Sequence, residues 1–81
     1  MIDSREHWPE LRAGLLLLVE ALAPVFDDDT LSIVREFIEH YEFGVALEWL
    51  HSAVIRRSIS LSDAESESFR KLAHLMDIDS L

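Results

Sequence analysis

One pair of residues in this chain has a spacing that is typical of metal-binding sites, namely a glutamate followed three residues later by a histidine. Glu48 and His51 stand in this relation on a predicted helix, and Glu-x-x-His motifs hold di-iron sites in helical bundles. Such a site uses the motif on two helices with further glutamates on two others, and this chain carries one copy. We therefore interpret Glu48 and His51 as surface residues at helical spacing, and we predict no metal site and no cofactor.

Three consecutive aspartates, residues 27–29, supply carboxylates without forming a calcium loop. When the loop is counted from Asp28, Glu39 falls correctly at the twelfth position, but Ile33 occupies the sixth, where glycine is needed. Carboxylates at a helix N-terminus accept free N–H groups and meet the positive end of the helix dipole. The aspartates therefore predict the start of a helix.

Other catalytic patterns are missing from the sequence. There is no cysteine, which excludes disulfides, thiolate zinc sites and thiol catalysis. No serine lies in a nucleophile-elbow context, and no glycine-rich loop could cradle a phosphate. A small bundle rarely encloses a preorganised concave site. We predict that the protein is not an enzyme.

The elements that position these residues are helices. Apolar residues recur at spacings of three and four throughout, Pro9 suits a first helical position, and Pro24 ends the first helix. Ser62 and Glu65 form a capping box that opens the last helix. The sequence predicts a single all-α domain over residues 1–81, a compact four-helix domain built from antiparallel helix hairpins. The helices are predicted over residues 9–23, 28–41, 45–57 and 63–76, followed by a frayed tail over 77–81.

The chain is organised around residues 34–50, which have the pattern of two amphipathic helices joined at a short aromatic turn. One apolar stripe ends at Tyr41, and a second begins with a shifted phase at Ala46, so the helix must break between them. Gly44 supplies conformational freedom in this connection. We call residues 41–44, Tyr-Glu-Phe-Gly, the elbow, and predict that it joins neighbouring helices of an αα-hairpin.

The charge of the chain restricts its partners. Seven lysines and arginines stand against sixteen carboxylates, which gives a net charge of −9. Nucleic acids and anionic membranes are bound through basic residues, so we predict neither as a partner. A strong negative electrostatic field steers a basic protein toward the chain and speeds their association. An excess of acidic residues can also simply keep a small protein soluble.

Two further features predict a soluble, cytoplasmic protein. The N-terminal residues lack the basic region of a signal peptide. The most apolar run, residues 13–26, is interrupted by Glu20 and is shorter than the roughly 20 residues that span a bilayer.

Residues 34–40, Val-Arg-Glu-Phe-Ile-Glu-His, and 42–48, Glu-Phe-Gly-Val-Ala-Leu-Glu, resemble the signature of the MafI family of bacterial immunity proteins. The resemblance is strongest over residues 34–50 and extends more loosely to the first and last helices. These small, acidic, all-helical proteins are encoded beside secreted polymorphic toxins, often nucleases, and protect the producing cell. The family tends to place glycine after the histidine, where this chain has Tyr41. Either Tyr41 adopts a positive φ or the turn is built differently.

The resemblance implies an immunity protein that binds the C-terminal domain of a cognate toxin. An acidic protein could fill the basic cleft of a nuclease-type toxin and occlude its active or substrate-binding surface. A few central aromatic or arginine anchors on either side dominate such interfaces, and the elbow offers aromatic residues ringed by carboxylates. The aromatic residues could instead simply pack the elbow or the core. The candidate partner-binding residues are Glu39, Tyr41, Glu42, Phe43, Glu48 and Trp49.

A second function is open from the sequence. Leu16 and Leu17 lie off the apolar stripe of the first helix, and Leu17 points nearly opposite to it. These leucines could be buried against another side of the helix, or they could be ordinary exposed leucines. They could also contact another chain. The last case predicts a homodimeric helical adaptor or regulatory subunit with no toxin partner.

Overall fold

The computed structural model describes residues 7–78, which form four α-helices. They are α1 (Trp8–Leu22), α2 (Asp28–Glu39), α3 (Phe43–Arg56) and α4 (Asp63–Leu75), with a short 3-10 turn at Ala23–Val25. The predicted all-α, four-helix class is confirmed. Each end of a helix lies within two residues of its predicted position.

The four helices run antiparallel to their neighbours in the chain. Helices α1 and α3 each contact the other three helices. The first turn of α1 meets the end of α2, where Trp8 stacks on Tyr41, and α3 begins beside the end of α4, where Gly44 approaches Ile78. One end of the bundle therefore gathers the elbow, the start of α1 and the end of α4. We call it the elbow end.

The core is a single apolar cluster between the helices. The apolar stripe of α1 is buried from Leu11 to Leu22, whereas Trp8 at its start is half-buried. Leu15, Ile38 and Leu47 are fully enclosed. Gly14 lets α1 and α4 approach closely, because a Cβ atom at this position would lie 2.8 Å from Cδ2 of Leu72. The radius of gyration of 11.9 Å is close to the value of roughly 12 Å expected for a compact chain of this length.

Helices α2, α3 and α4 all end in the same motif with a residue other than glycine. Tyr41, Ser58 and Asp77 have φ angles of 59°, 53° and 57°, in the left-handed region where glycine is favoured. At the end of α4 the N–H of Asp77 donates to His74 O over 3.2 Å, and that of Ile78 donates to Ala73 O over 2.9 Å. Each helix thus satisfies its last carbonyl groups in a Schellman motif at the cost of a strained residue.

This cap corrects part of the prediction for the tail. Asp77 and Ile78 were predicted to fray, but their N–H groups are hydrogen-bonded, and Ile78 packs against the core. Residues 79–81 lie outside the described part of the chain. The predicted capping box is confirmed: Ser62 Oγ accepts from the N–H of Glu65 over 3.1 Å, and Glu65 Oε1 accepts from the N–H of Ser62 over 2.9 Å.

At the opposite end of the bundle, Arg57 connects the end of α3 to the residues that precede α2. Its guanidinium lies 5.6 Å from the ring centre of Phe26 and 3.5 Å from Oδ2 of Asp27. Asp27 caps α2, because its Oδ1 accepts from the N–H of Thr30 over 3.0 Å. The aspartates therefore open a helix, as predicted, and Asp27 also connects that helix to α3.

Replacement of Asp27 with asparagine is expected to remove a pH-dependent part of the stability. Hydrogen bonds from the side chain and backbone of Thr30, with the charge of Arg57, hold the pKa of Asp27 below its ordinary value. Because the folded pKa is the lower one, the charged carboxylate stabilises the fold above the ordinary pKa of about 3.9. This contribution disappears as the pH falls through the folded pKa.

Urea unfolding of both proteins between about pH 7 and about pH 2 measures this effect. The stability difference between wild type and Asp27→Asn is expected to shrink on the acidic side. A difference that stays constant over the whole range would contradict the proposed role of the charge. Asparagine also caps helices well, so the comparison isolates the charge from the capping hydrogen bond.

Candidate functional site

The elbow is a tight turn with Tyr41 in a left-handed conformation. The N–H of Tyr41 donates to Ile38 O over 3.1 Å, and the N–H of Glu42 donates to Phe37 O over 2.9 Å. These two bonds complete the cap of α2, and α3 begins at Phe43. Phe43 and Gly44 therefore form the start of α3, and the positive φ of the connection belongs to Tyr41 and not, as the sequence suggested, to a connection freed by Gly44. Of the two turns that the sequence allowed, the structure has the one in which Tyr41 takes a positive φ.

Three aromatic rings cluster at the elbow end. Trp8 and Tyr41 stack with ring centres 5.1 Å apart and an interplanar angle of 12°. Phe43 meets both rings edge-on, at 6.0 Å from Trp8 and 5.9 Å from Tyr41. Aromatic pairs with this spacing stabilise a protein by roughly 0.5–1.5 kcal/mol beyond their buried area. The stacking therefore offsets part of the strain at Tyr41.

The cluster forms one wall of a groove of about 410 Å³. We call it the aromatic groove. Tyr41 is 56% exposed and Val45 is 48% exposed, so the groove presents aromatic and aliphatic surface to solvent. The residues that line it come from α1, the elbow, α3 and the end of α4: Trp8, Leu11, Tyr41, Phe43, Gly44, Val45, Glu48, Met76 and Ile78.

The predicted carboxylates have different surroundings. Glu48 lines the aromatic groove, and no salt bridge joins it to another residue within 7–78. Glu42 is exposed in the elbow itself. Glu39 accepts from the guanidinium of Arg12 over 3.2 Å, so its charge is partly compensated within the chain. Glu42 and Glu48 are therefore the carboxylates best placed to meet a partner at the elbow end.

The predicted aromatic residues do not all belong to the surface. Phe43 is only 4% exposed and lies beneath Trp8 and Tyr41, so it supports the surface rather than forming it. Trp49 is half-buried against the core. Among residues 7–78 it forms no ring pair with Tyr41 or Phe43, so the structure does not bring it into the cluster.

Sequence reasoning missed three residues that build the groove. Apolar spacing alone places Trp8 on the core stripe of α1 and Met76 on the core face of the last helix. Ile78 was placed in the tail. A signal for Trp8 was present, because antiparallel hairpins bring the start of the first helix to the end of the second. No pattern in the sequence predicted that Met76 and Ile78 would face the elbow.

Helix α1 also has an exposed leucine on another face. Leu17 is 66% exposed, whereas Leu16 is half-buried and packs against the core. A groove of about 510 Å³ lies beside these residues and also includes Glu20 and Arg35. The structure thus assigns Leu16 mainly to packing and leaves Leu17 as an exposed apolar side chain.

His51, which the sequence placed at the surface together with Glu48, is half-buried. His51 packs edge-on against Phe69, with ring centres 5.4 Å apart. Within residues 7–78, no three histidine, aspartate or glutamate side chains are grouped as metal ligands would be. None of the helices described is long and apolar enough to cross a membrane.

A scan against protein-family models, a search of curated proteins and a search of solved structures each found no match to this chain. The evidence for the function of this chain therefore lies in the aromatic groove, the charge of the chain and the residues of the elbow.

Proposed function

We propose that this protein is an immunity protein that acts in the cytoplasm of the producing cell. It binds a cognate toxin domain of basic, nuclease type and occludes its active or substrate-binding surface, without chemistry of its own. The observation that carries the proposal is Tyr41. A large aromatic residue occupies a backbone position that favours glycine, and this residue is 56% exposed.

Backbone strain of this kind supports a functional role for the side chain. A residue other than glycine in the left-handed region costs roughly 1–2 kcal/mol. Ser58 and Asp77 cap α3 and α4 in the same way and show that this chain tolerates such residues, but both are small and polar. Tyr41 differs because its ring is retained at the surface, where aromatic residues are enriched as binding anchors.

The charge of the elbow end supports a basic partner. Glu39, Glu42, Glu48 and Asp77 all lie at this end of the bundle, in a chain of net charge −9. A nuclease must present basic surface to the phosphate backbone. An acidic protein with an aromatic anchor would be steered to that surface and would compete there with nucleic acid.

Co-expression with the toxin domain encoded by the neighbouring gene tests the proposal. Cells that make both proteins are expected to grow, and the toxin domain is expected to co-purify and to be released as the salt concentration rises. Growth arrest despite production of the folded protein would disprove the immunity function. Protection without a complex would disprove occlusion by direct binding.

Two matched charge reversals locate the binding surface. Glu42→Lys and Glu20→Lys change the net charge equally, but position 20 is twelve residues along α1 from Trp8, roughly 18 Å away. Glu42→Lys is expected to slow association with the toxin domain by roughly ten-fold and to weaken protection, with a much smaller effect for Glu20→Lys. Equal effects would show that only the overall field matters and would remove the elbow from the site.

The exposed Leu17 favours a second candidate, a homodimeric adaptor or regulatory subunit. Large apolar side chains at a surface are common singly, but one beside a groove can mark an interface. Analytical ultracentrifugation over a range of concentrations decides between the two. A monomer at every concentration would exclude the adaptor, and a dimer lost in Leu17→Glu would support it.

A further inference from the structure

We infer that the aromatic groove is a receptor for an arginine side chain of a basic partner protein. This inference rests on the proposed function, because it specifies what the toxin domain would insert at the elbow end. The groove that would receive the side chain, and the contacts that would hold it, come from the structure.

The stacked pair supplies a surface for a cation. Trp8 covers one face of the Tyr41 ring, and Tyr41 remains 56% exposed while lining the groove. The face of an aromatic ring carries partial negative charge and attracts cations within about 6 Å of its centre. Phe43 holds the rings from below with edge-on contacts. The surface is therefore built before a partner arrives.

A carboxylate also lines the groove. Glu48 lies one helical turn beyond Gly44 on α3 and lines the same groove. A cation over Tyr41 would thus meet both a ring and a negative charge. Charge-assisted hydrogen bonds of this kind are stronger and more specific than neutral ones.

The apolar residues of the groove select a long side chain. Val45, Met76 and Ile78 line it together with Glu48, so a methylene stem can lie on aliphatic surface while its charged end reaches the carboxylate. Arginine fits better than lysine because the planar guanidinium stacks on aromatic rings and pairs with carboxylates through two donors. A lysine ammonium is more strongly hydrated and offers no planar surface.

A peptide titration followed by NMR tests this site in the absence of any toxin. The probe is the capped peptide acetyl-Gly-Arg-Gly-amide, and the control is the same peptide with citrulline, which keeps the shape and lacks the charge. The arginine peptide is expected to shift the indole N–H signal of Trp8 and to leave that of Trp49 unmoved. The citrulline peptide is expected to bind at least roughly three-fold more weakly, the loss expected for one exposed charge contact.

Matched variants assign the contacts. Glu48→Gln is expected to weaken binding of the arginine peptide by roughly three- to ten-fold. Glu36→Gln changes an exposed glutamate in the last turn of α2 that does not line the groove, so it is expected to have no effect. Equal shifts from both peptides, or an unchanged affinity in Glu48→Gln, would overturn the inference.

The test separates this inference from the proposed function. If arginine binds but the protein does not protect cells, the groove is a receptor and the immunity function is wrong. If the toxin domain binds and the arginine peptide leaves Trp8 unchanged, immunity stands and the arginine receptor is wrong. A lysine peptide that binds as tightly as arginine would also overturn the choice of guanidinium.

Discussion

Replacement of Tyr41 with glycine is expected to weaken toxin binding by at least about 30-fold, the loss typical of a central aromatic anchor, while the fold stays nearly as stable. Two effects on stability oppose each other. Glycine relieves the left-handed strain of roughly 1–2 kcal/mol, and loss of the ring removes contacts with Trp8 and Phe43 worth roughly 0.5–1.5 kcal/mol each. Chemical denaturation and a binding titration on the same preparation measure both quantities.

Two other variants show whether the effect of Tyr41→Gly comes from the lost ring or from the change in the backbone. Tyr41→Phe keeps the ring and the strain, so it is expected to bind nearly as well as the wild type. Ser58→Gly makes the same backbone change at the end of α3, away from the groove, and is expected to stabilise the protein by roughly 1 kcal/mol. Wild-type affinity in a folded Tyr41→Gly protein would show that the aromatic ring is not an anchor.

Leu15→Ala is expected to destabilise the protein by roughly 2–5 kcal/mol, the range for deleting a fully buried leucine side chain. Leu15 is 0% exposed and lies in the middle of α1, which contacts the other three helices. A chain of this length has a total stability of roughly 4–12 kcal/mol, so the loss could leave much of it unfolded. Thermal unfolding followed by circular dichroism measures the change.

Leu17→Ala is the matched control, because it deletes the same atoms from the same helix. Leu17 is 66% exposed, so the change in stability is expected to stay within about 0.5 kcal/mol. Similar losses at positions 15 and 17 would mean that α1 is rotated relative to the structure described, or that Leu17 is covered by a second copy of the chain. Sedimentation of the wild-type protein separates these two explanations.

The helices and the core could be predicted from the sequence because their signals are local. The apolar spacing in α1 and the capping box at Ser62 each depend on residues only a few positions apart. The helix ends were less well placed. Neither Ser58 nor Asp77 is a glycine, so their left-handed caps carried no recognisable signal.

The site was only partly predictable because its geometry depends on contacts between distant residues. The elbow was located, and both conformations of Tyr41 were considered. The partnership of Trp8 with Tyr41 joins residues 33 positions apart, and the salt bridge of Glu39 with Arg12 joins residues 27 apart. Periodicity reports which face of a helix is apolar, but not which residue of another helix will meet it.

The aromatic groove contains residues from both ends of the described chain, since Trp8 and Ile78 line it together. A chain still lacking its last helix cannot form this surface, so recognition is coupled to completion of the fold. The coupling works in both directions. A partner that binds only the assembled groove stabilises the whole protein, by about 2.7 kcal/mol at a free concentration one hundred times the dissociation constant. The complex should therefore resist proteolysis and hydrogen exchange even in helices far from the groove.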